Sequence, residues 1–598
     1  MKRHEAAVQT RLRRRTFSRA LSVKTYVVRR FIFTNLTIVI TMYKIDWIMT
    51  LCGKGAVRGI LTAFAAFFEA IVKAQEVIYK DMSGKDSLQI ALAVASCRFS
   101  RRILRGINRG GTSLPGKLAM WFRRDILAVA SEGVETILVT GTNGKTTTAA
   151  MLSHAMQEAG RAPLSNSSGA NLLSGVTAEF AAAADLRGRP LRGRKNPDRP
   201  ADADMGSGQY AVIECDEGAL RHVAPLLKPR VIVVTNIFRD QLDRYGEVMH
   251  TLEAIREGIR LAPEAVLCLN ADDSLVASLA LDVPNPVIWF GIEETAIETV
   301  FQERQNTSDA NGDRGRFSVS TGEETENRPL SPDSPDKISD ARYCIRCGTE
   351  YIYRYHTYAH LGGFFCPSCG FSRPLPDAAV TSIDGIDAGG SGIHVRIRGR
   401  KGEIQELPVR IALPAVYNIY NAAAALAAYA ALKLPLQEIL KGLEHMKSSF
   451  GRMEHFNIGR VSIQMILVKN PAGCNQALDY LCSLKEPYTL VLCLNDLDAD
   501  GHDISWIWDV DYEKLCGRGN IRRILVWGRR AEDLQLRLKY AGFEEKRIRR
   551  VPEKELKKLL DAIYKSQVPV FILPNYTAML PLRDALRRVA GKDSFWKG

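Results

Sequence analysis

Short apolar runs recur between about residues 135 and 300: Ile137–Val139, Tyr210–Ile213, Val231–Thr235, Val266–Leu269 and Val287–Phe290. Helical patterns separate them. Strands that alternate with helices in this way predict an α/β fold, a parallel sheet with helices on both faces. A second alternation fills 450–598, with strands near Ile463–Val468, Leu490–Leu494, Ile524–Trp527 and Val568–Leu573, and predicts a smaller α/β domain. Between the two lie a β-rich piece at Ile393–Ile397 and an alanine-rich helix from Tyr417 to about Leu434. Two stretches break the pattern. Residues 186–208 are rich in Arg, Gly, Pro and Asp and read as a mobile surface insertion; residues 300–340 are polar, bury little and read as a disordered linker.

A chain of 598 residues with 46% hydrophobic content has material for two or three domains. The net charge of +15 suggests nucleic acid until it is located. Residues 1–125 hold 24 Lys/Arg against 7 Asp/Glu, so the remaining 473 residues carry a net −2. The basicity belongs to an N-terminal extension (1–87) and its flank, a pattern that suits an anionic lipid surface better than a nucleic-acid groove. Phe31–Leu51 is broken by Asn35, Lys44 and Asp46 and makes a poor membrane span, while Ala56–Ile78 reads as an amphipathic helix. No secretory signal is evident, and Met82 is a candidate start, since everything recognisable follows it. Twelve cysteines, scattered apart from one group of four, indicate a reducing compartment, hence a cytoplasmic protein.

The chemistry begins at Val139–Thr148. An apolar strand leads into Gly141, Thr142, Asn143, Gly144, Lys145, Thr146 and Thr147, and a helix follows, ending near Gly160. That order points backbone N–H groups and a helix N-terminus at a phosphate. Gly141 and Gly144 allow close approach, Lys145 would neutralise the β/γ-phosphates, and Thr146 would reach Mg²⁺. A strict P-loop has Gly where Val139 stands. An ordinary turn is the competing reading, which the strand–helix context disfavours.

Cys344-x2-Cys347 and Cys366-x2-Cys369, with eighteen residues between the pairs, have the spacing of a zinc ribbon. Gly348 and Gly370 permit the tight turns that bring two thiolates to one ion. Four protein ligands leave no open position, so a bound Zn²⁺ would be structural; four unrelated thiols or a redox dithiol pair are the competing readings.

The loop at 140–148 resembles the ATP-binding signature of the Mur ligase superfamily, and further segments resemble its MurT branch. These are Gly110–Lys117, Ser165–Asn166, Gly169–Leu172, Val212–Glu217, Thr235–Gly246, Phe450–Glu454, Lys469–Gly473, Asn495–Asp496, Ala499–Gly501 and, most distinctive, Asp503–Asp511. The resemblance runs from about residue 88 to the end. It implies a Mur ligase-like central P-loop domain (88–445) with an inserted four-cysteine zinc ribbon (341–374), and a smaller Rossmann-like C-terminal domain (446–598). It further implies a carbon–nitrogen ligase that amidates the D-glutamate α-carboxyl of the lipid II stem peptide through an acyl phosphate. ATP, Mg²⁺ and structural Zn²⁺ are the implied cofactors. Ammonia would come from a separate GatD-type glutaminase, with the pair working at the inner face of the cell membrane.

Carried onto this chain, the resemblance makes Glu214 a Mg²⁺ ligand beside Thr146, Asn421 the reader of adenine and Arg452 a nucleotide contact at the domain junction. The plainer readings are an acid at a strand end, a helix-surface amide and a hinge salt-bridge partner. It also implies that an aspartate of the C-terminal domain completes the partner's Cys–His pair, with Asp509 first and Asp503 second; capping of turns is the alternative. No cysteine sits on a glycine-flanked elbow followed by a suitable histidine, and Cys474 reads as a packing residue. Amino-acid-adding Mur ligases have His where this chain has Gln241 and a carbamylated Lys near Arg256, so a folylpolyglutamate-type ligase is the second reading. A non-enzymatic P-loop/zinc-ribbon nucleic-acid-binding protein is the third, disfavoured by the near-neutral body.

Overall fold

The computed structural model describes residues 85–106, 113–166, 169–190, 209–239, 248–297, 340–387, 389–398, 403–446 and 452–590. The basic extension through residue 84, most of the arginine-rich insertion (191–208), the polar linker (298–339) and Gln241 lie outside the described residues.

The larger sheet has nine strands in the order β11-β10-β9-β6-β5-β4-β1-β3-β2. Its parallel half comprises β1 (Val134–Thr140), β2 (Leu164–Ser165), β3 (Gln209–Glu214), β4 (Val231–Val234), β5 (Val266–Asn270) and β6 (Val287–Ile292). Every residue of β4 and β5 is buried, because helices cover both faces and leave no solvent side. Alternate residues serve the two faces. Ile137, Val139, Val231 and Val233 pack with Met151, Leu152 and Ala155 of the helix Lys145–Glu158 and with the helix Val416–Ala431. Leu138, Ile232 and Val234 pack with Val176, Leu220, Val223 and Ile255 on the opposite side.

The β-rich piece is larger than its sequence pattern predicts. Strands β9 (Ala378–Asp387), β10 (Gly390–Arg398) and β11 (Ile404–Ile411) form an antiparallel meander, and β9 joins the sheet parallel to β6. The cysteine segment carries its own hairpin, β7 (Ile352–Tyr358) and β8 (Leu361–Phe365).

The second sheet runs β12-β13-β17-β14-β15-β16: β12 (Glu454–Ile458), β13 (Val461–Met465), β14 (Tyr488–Cys493), β15 (Ile521–Trp527), β16 (Ile548–Arg550) and β17 (Val570–Pro574). Only β12 is antiparallel. The exit of β13 leads to Asn470, which caps the helix Pro471–Ser483 by accepting from the Gly473 N–H and lies in hydrogen-bond contact with Asn143 of the glycine loop. The smaller sheet thus ends against the mouth of the P-loop.

Candidate functional site

The loop after β1 turns on two glycines with left-handed φ, +115° at Gly141 and +88° at Gly144. Neither position has room for a side chain. A Cβ on Gly144 would lie 2.1 Å from Asn421 Oδ1, and one on Gly141 would lie 2.4 Å from Thr235 Oγ1. The exit of β4 holds the loop open. Thr142 N–H donates to Asn236 O (2.8 Å), Asn143 N–H donates to Asn236 Oδ1 (2.9 Å), and Thr235 Oγ1 donates to Asn143 O (2.6 Å). The cradle is therefore organised by the protein's own contacts.

Lys145 opens the helix and is buried. Its Nζ lies 2.9 Å from Glu217 Oε1 and also donates to Gly141 O. Burial alone would lower the Lys145 pKa, but Glu217, Asp216 and Glu214 outweigh it and raise it. Thr146 Oγ1 donates to Glu214 Oε2 at 2.8 Å, and Asn171 Nδ2 lies 3.5 Å from the other carboxylate oxygen. A hydroxyl and a carboxylate converging at the end of β3, beside the phosphate cradle, form a hard oxygen donor pair of the type Mg²⁺ takes.

A cleft opens from this loop toward the smaller sheet. Asn143, Gly144, Thr147, Asn421 and Arg452 line it, with Tyr358 and Tyr417 among its walls. Asn421 faces the loop across Thr148 Oγ1 (3.4 Å) and bonds Asn418 Oδ1 through its amide (3.2 Å). Arg452 is half-buried, and its Nε is enclosed without a hydrogen-bond partner among the described residues. Burial lowers its pKa against the pull of Glu214 and Tyr417. A partly desolvated guanidinium beside a phosphate cradle is a site for an anion.

The four ribbon sulfurs lie within 4.8 Å of one another, with Cys344–Cys369 at 3.6 Å and Cys347–Cys366 at 3.4 Å. Ligands about 2.3 Å from a tetrahedral Zn²⁺ stand about 3.8 Å apart, so the thiols fit that ion. The two knuckles repeat one turn: Gly348 N–H donates to Cys344 O (2.8 Å) and Gly370 N–H to Cys366 O (3.0 Å), each glycine at left-handed φ. Contacts with Thr349 hold Cys347 down at about 6, toward the thiolate that binds metal.

The two predicted aspartates take different positions. Asp503 accepts the Ser505 N–H at 2.8 Å and so caps its own turn. Asp509 is half-exposed and reaches across to the larger domain, with Oδ2 3.6 Å from Arg239 Nη1. Beside it Trp508 is 47% exposed and meets Tyr540, 71% exposed, edge-on at 5.5 Å, over the Arg537 guanidinium. Cys474 is buried 3.9 Å from Tyr512 OH, and burial pushes its thiol up to about 12, as befits a packing residue.

Residues 139–331 match the model of the Mur ligase middle domain, and residues 467–579 match that of the MurT ligase C-terminal domain. The MurT subunit of lipid II isoglutaminyl synthase (glutamine-hydrolyzing) from Streptococcus pneumoniae is 32% identical over 510 residues, 85% of this chain and 99% of that protein. The chain belongs to the MurT family. The MurT subunit of Staphylococcus aureus is 31% identical over 83% of this chain and 97% of its own length. A pseudomurein peptide ligase from Methanothermus fervidus (20% identity, 76% of this chain and 78% of that one, TM-score 0.50) shares the fold.

Of the residues predicted for this MurT protein, the structure brings Asn143, Gly144, Thr147, Asn421 and Arg452 to one cleft, and sets Lys145 and the Thr146–Glu214 pair in and beside the same loop-and-helix start. Of the two departures from amino-acid-adding ligases, Gln241 lies outside the described residues, and Arg256 pairs with Glu253 at 2.6 Å on its own helix. Sequence reasoning missed Glu217, Asn236, Tyr358 and Tyr417. Glu217 closes the segment Val212–Glu217, but nothing in the spacing says that it, rather than Asp216, meets Lys145. Tyr358 is far from the loop in sequence and gave no signal.

Proposed function

We propose that this chain is the ATP-using subunit of a lipid II isoglutaminyl synthase. It converts the D-glutamate α-carboxyl of the stem peptide to the amide of D-isoglutamine. The observation that carries the reading is the cleft with its preformed glycine loop: Asn143, Gly144, Asn421 and Arg452 line it, the Arg452 Nε is enclosed without a partner among the described residues, and Lys145 lies buried at the start of the helix that follows the loop.

The carboxylate attacks the γ-phosphorus of ATP, the bond to the β–γ bridging oxygen breaks, and ADP leaves. Lys145 moves from Glu217 to the transferring phosphoryl group, and Arg452 meets the charge at the domain junction. Thr146 and Glu214 would hold a Mg²⁺, which would supply positive charge beside the phosphate oxygens. Ammonia then attacks the acyl carbon, phosphate leaves, and a proton lost from nitrogen completes the amide. ADP release that requires both lipid II and ammonium tests this order; release stimulated by an amino acid instead would favour a folylpolyglutamate-type ligase.

Ammonia comes from a GatD-type glutaminase. Trp508, next to Asp509, and Tyr540 against it form an exposed aromatic patch suited to a protein partner, with Leu536 exposed one turn earlier on the helix that carries Tyr540. Asp509 orients the partner's histidine, with Asp503 the second choice. The four-cysteine cluster holds one structural Zn²⁺. No helix among the described residues is long and apolar enough to cross a membrane. The chain works in the cytoplasm at the inner membrane face, a placement supported by Lys117, Trp121 and Arg124, exposed at helical spacing on and just beyond the helix Ser113–Phe122. Loss of vesicle binding in Lys117→Glu/Arg124→Glu tests that placement.

A further inference from the structure

The four-cysteine ribbon reaches the residues around the P-loop through the tip of its hairpin, where Tyr358 and His360 both meet the Phe238 ring. Strand β7 begins five residues after Cys347 and runs to Tyr358, and β8 returns to Phe365, next to Cys366. The hairpin's far end enters the larger domain: Tyr358 and His360 are buried, with Ala359 between them at φ +47°. Tyr358 lines the same cleft as Asn143, Gly144 and Asn421. Its ring stacks on Phe238 (centroids 5.8 Å apart, planes 28°) and meets Tyr420 edge-on, also at 5.8 Å.

Both neighbours are tied to the nucleotide site. Phe238 N–H donates to Thr142 Oγ1 at 3.0 Å, and that hydroxyl donates back to Phe238 O at 3.2 Å, so Phe238 braces the glycine loop. Tyr420 precedes Asn421 on the same helix. Its hydroxyl lies 2.6 Å from Asp272 Oδ2 and 2.8 Å from Thr357 Oγ1. Asp272 in turn accepts from Arg373 Nε at 2.6 Å, four residues beyond Cys369, and from the Ile292 N–H at 2.8 Å. The ribbon is thus clamped to the larger domain on both sides of the hairpin, and Tyr358 sits where the clamp reaches the cleft.

We infer that Tyr358 is a nucleotide-positioning residue of the ATP site, and that the cysteine ribbon serves the site by holding it there. This rests on the ATP reading above. The ring fills the cleft wall between the loop's brace and the helix that carries Asn421, so its loss opens the base side of the site and lets both neighbours shift. The hydroxyl is not the operative group; the aromatic face and its packing are.

The test uses the full chain with its glutaminase subunit, with MgADP as the probe in calorimetric titration and ATP in steady-state turnover. Tyr358→Ala should weaken MgADP binding about tenfold and raise KM for ATP by a similar factor, with a much smaller effect on kcat. Tyr358→Phe should recover most of the affinity. Stripping zinc with a chelator should weaken MgADP binding in the unsubstituted chain and weaken it little further in Tyr358→Ala. Unchanged binding in a zinc-replete Tyr358→Ala chain would overturn the inference, as would a loss in kcat matching that in KM, the pattern of a merely structural defect. If the unsubstituted chain bound no MgADP at all, the ATP reading itself would fall.

Discussion

Lys145 and Glu217 form a buried ion pair, Nζ to Oε1 at 2.9 Å, in the position where a P-loop lysine meets phosphate. Before nucleotide binds, the buried ammonium needs a counter-charge, and Glu217 supplies it. In the proposed reaction, ATP binding exchanges one anion for another. Lys145→Ala should therefore lower ATP-dependent amidation at least about a hundredfold, and retained turnover would remove the phosphate-clamp assignment.

The same pair gives a stability signature. Glu217→Gln removes the largest charge acting on Lys145 and leaves the weaker pull of Asp216 and Glu214, which should cost the nucleotide-free protein about 1–3 kcal/mol. MgATP brings its own negative charge, so it should restore more unfolding temperature to this variant than to the unsubstituted chain. Equal shifts in thermal unfolding with and without MgATP would count against the exchange.

Arg452 holds an enclosed Nε with no hydrogen-bond partner among the described residues, an arrangement that costs folding free energy unless a ligand uses it. Arg452→Met keeps the packing of the stem and removes the charge. Its unfolding temperature should stay level or rise, while KM for ATP increases about tenfold. A destabilised variant with normal KM would make Arg452 a hinge residue instead.

How far the sequence reached depended on whether the chemistry was local. The glycine loop, the two cysteine pairs and the apolar strands are short-range patterns, and each stands within a few residues of its predicted position: Val231–Thr235 against Val231–Val234, for example. The antiparallel meander was half visible, because β9 and β11 mix polar and apolar residues along a partly exposed edge. The long-range pairings were not legible. Lys145–Glu217 spans 72 residues, and Phe238–Tyr358 crosses the polar linker into the ribbon, so neither leaves a periodic trace.

Asp509 pairs with Arg239 across the domains at 3.6 Å, with both side chains more than a third exposed, so the contact itself contributes little to stability. That leaves the carboxylate available to a partner. Asp509→Asn should cut glutamine-driven amidation by about tenfold or more and spare amidation driven by free ammonium. Equal loss with both nitrogen sources would place Asp509 in the synthetase site or in the domain contact.

The four-cysteine cluster should give one zinc per chain on elemental analysis of reduced protein. Cys366→Ser, which removes a fully buried ligand, should abolish stoichiometric zinc and lower the unfolding temperature, with the ribbon region losing hydrogen-exchange protection first. Metal-free protein that keeps full protection there would show that the hydrophobic core of Tyr351, Tyr353, Phe364 and Phe371 suffices without an ion.

The most direct test of the account is mass spectrometry of lipid II after incubation with this chain, its glutaminase partner, ATP, Mg²⁺ and glutamine. The proposed reaction gives a product in which one carboxyl OH is replaced by NH₂, with fragmentation placing the amide on the D-glutamate α-carboxyl. A product enlarged by an amino-acid residue, or unchanged lipid II with a zinc-loaded and ATP-binding complex, would contradict it.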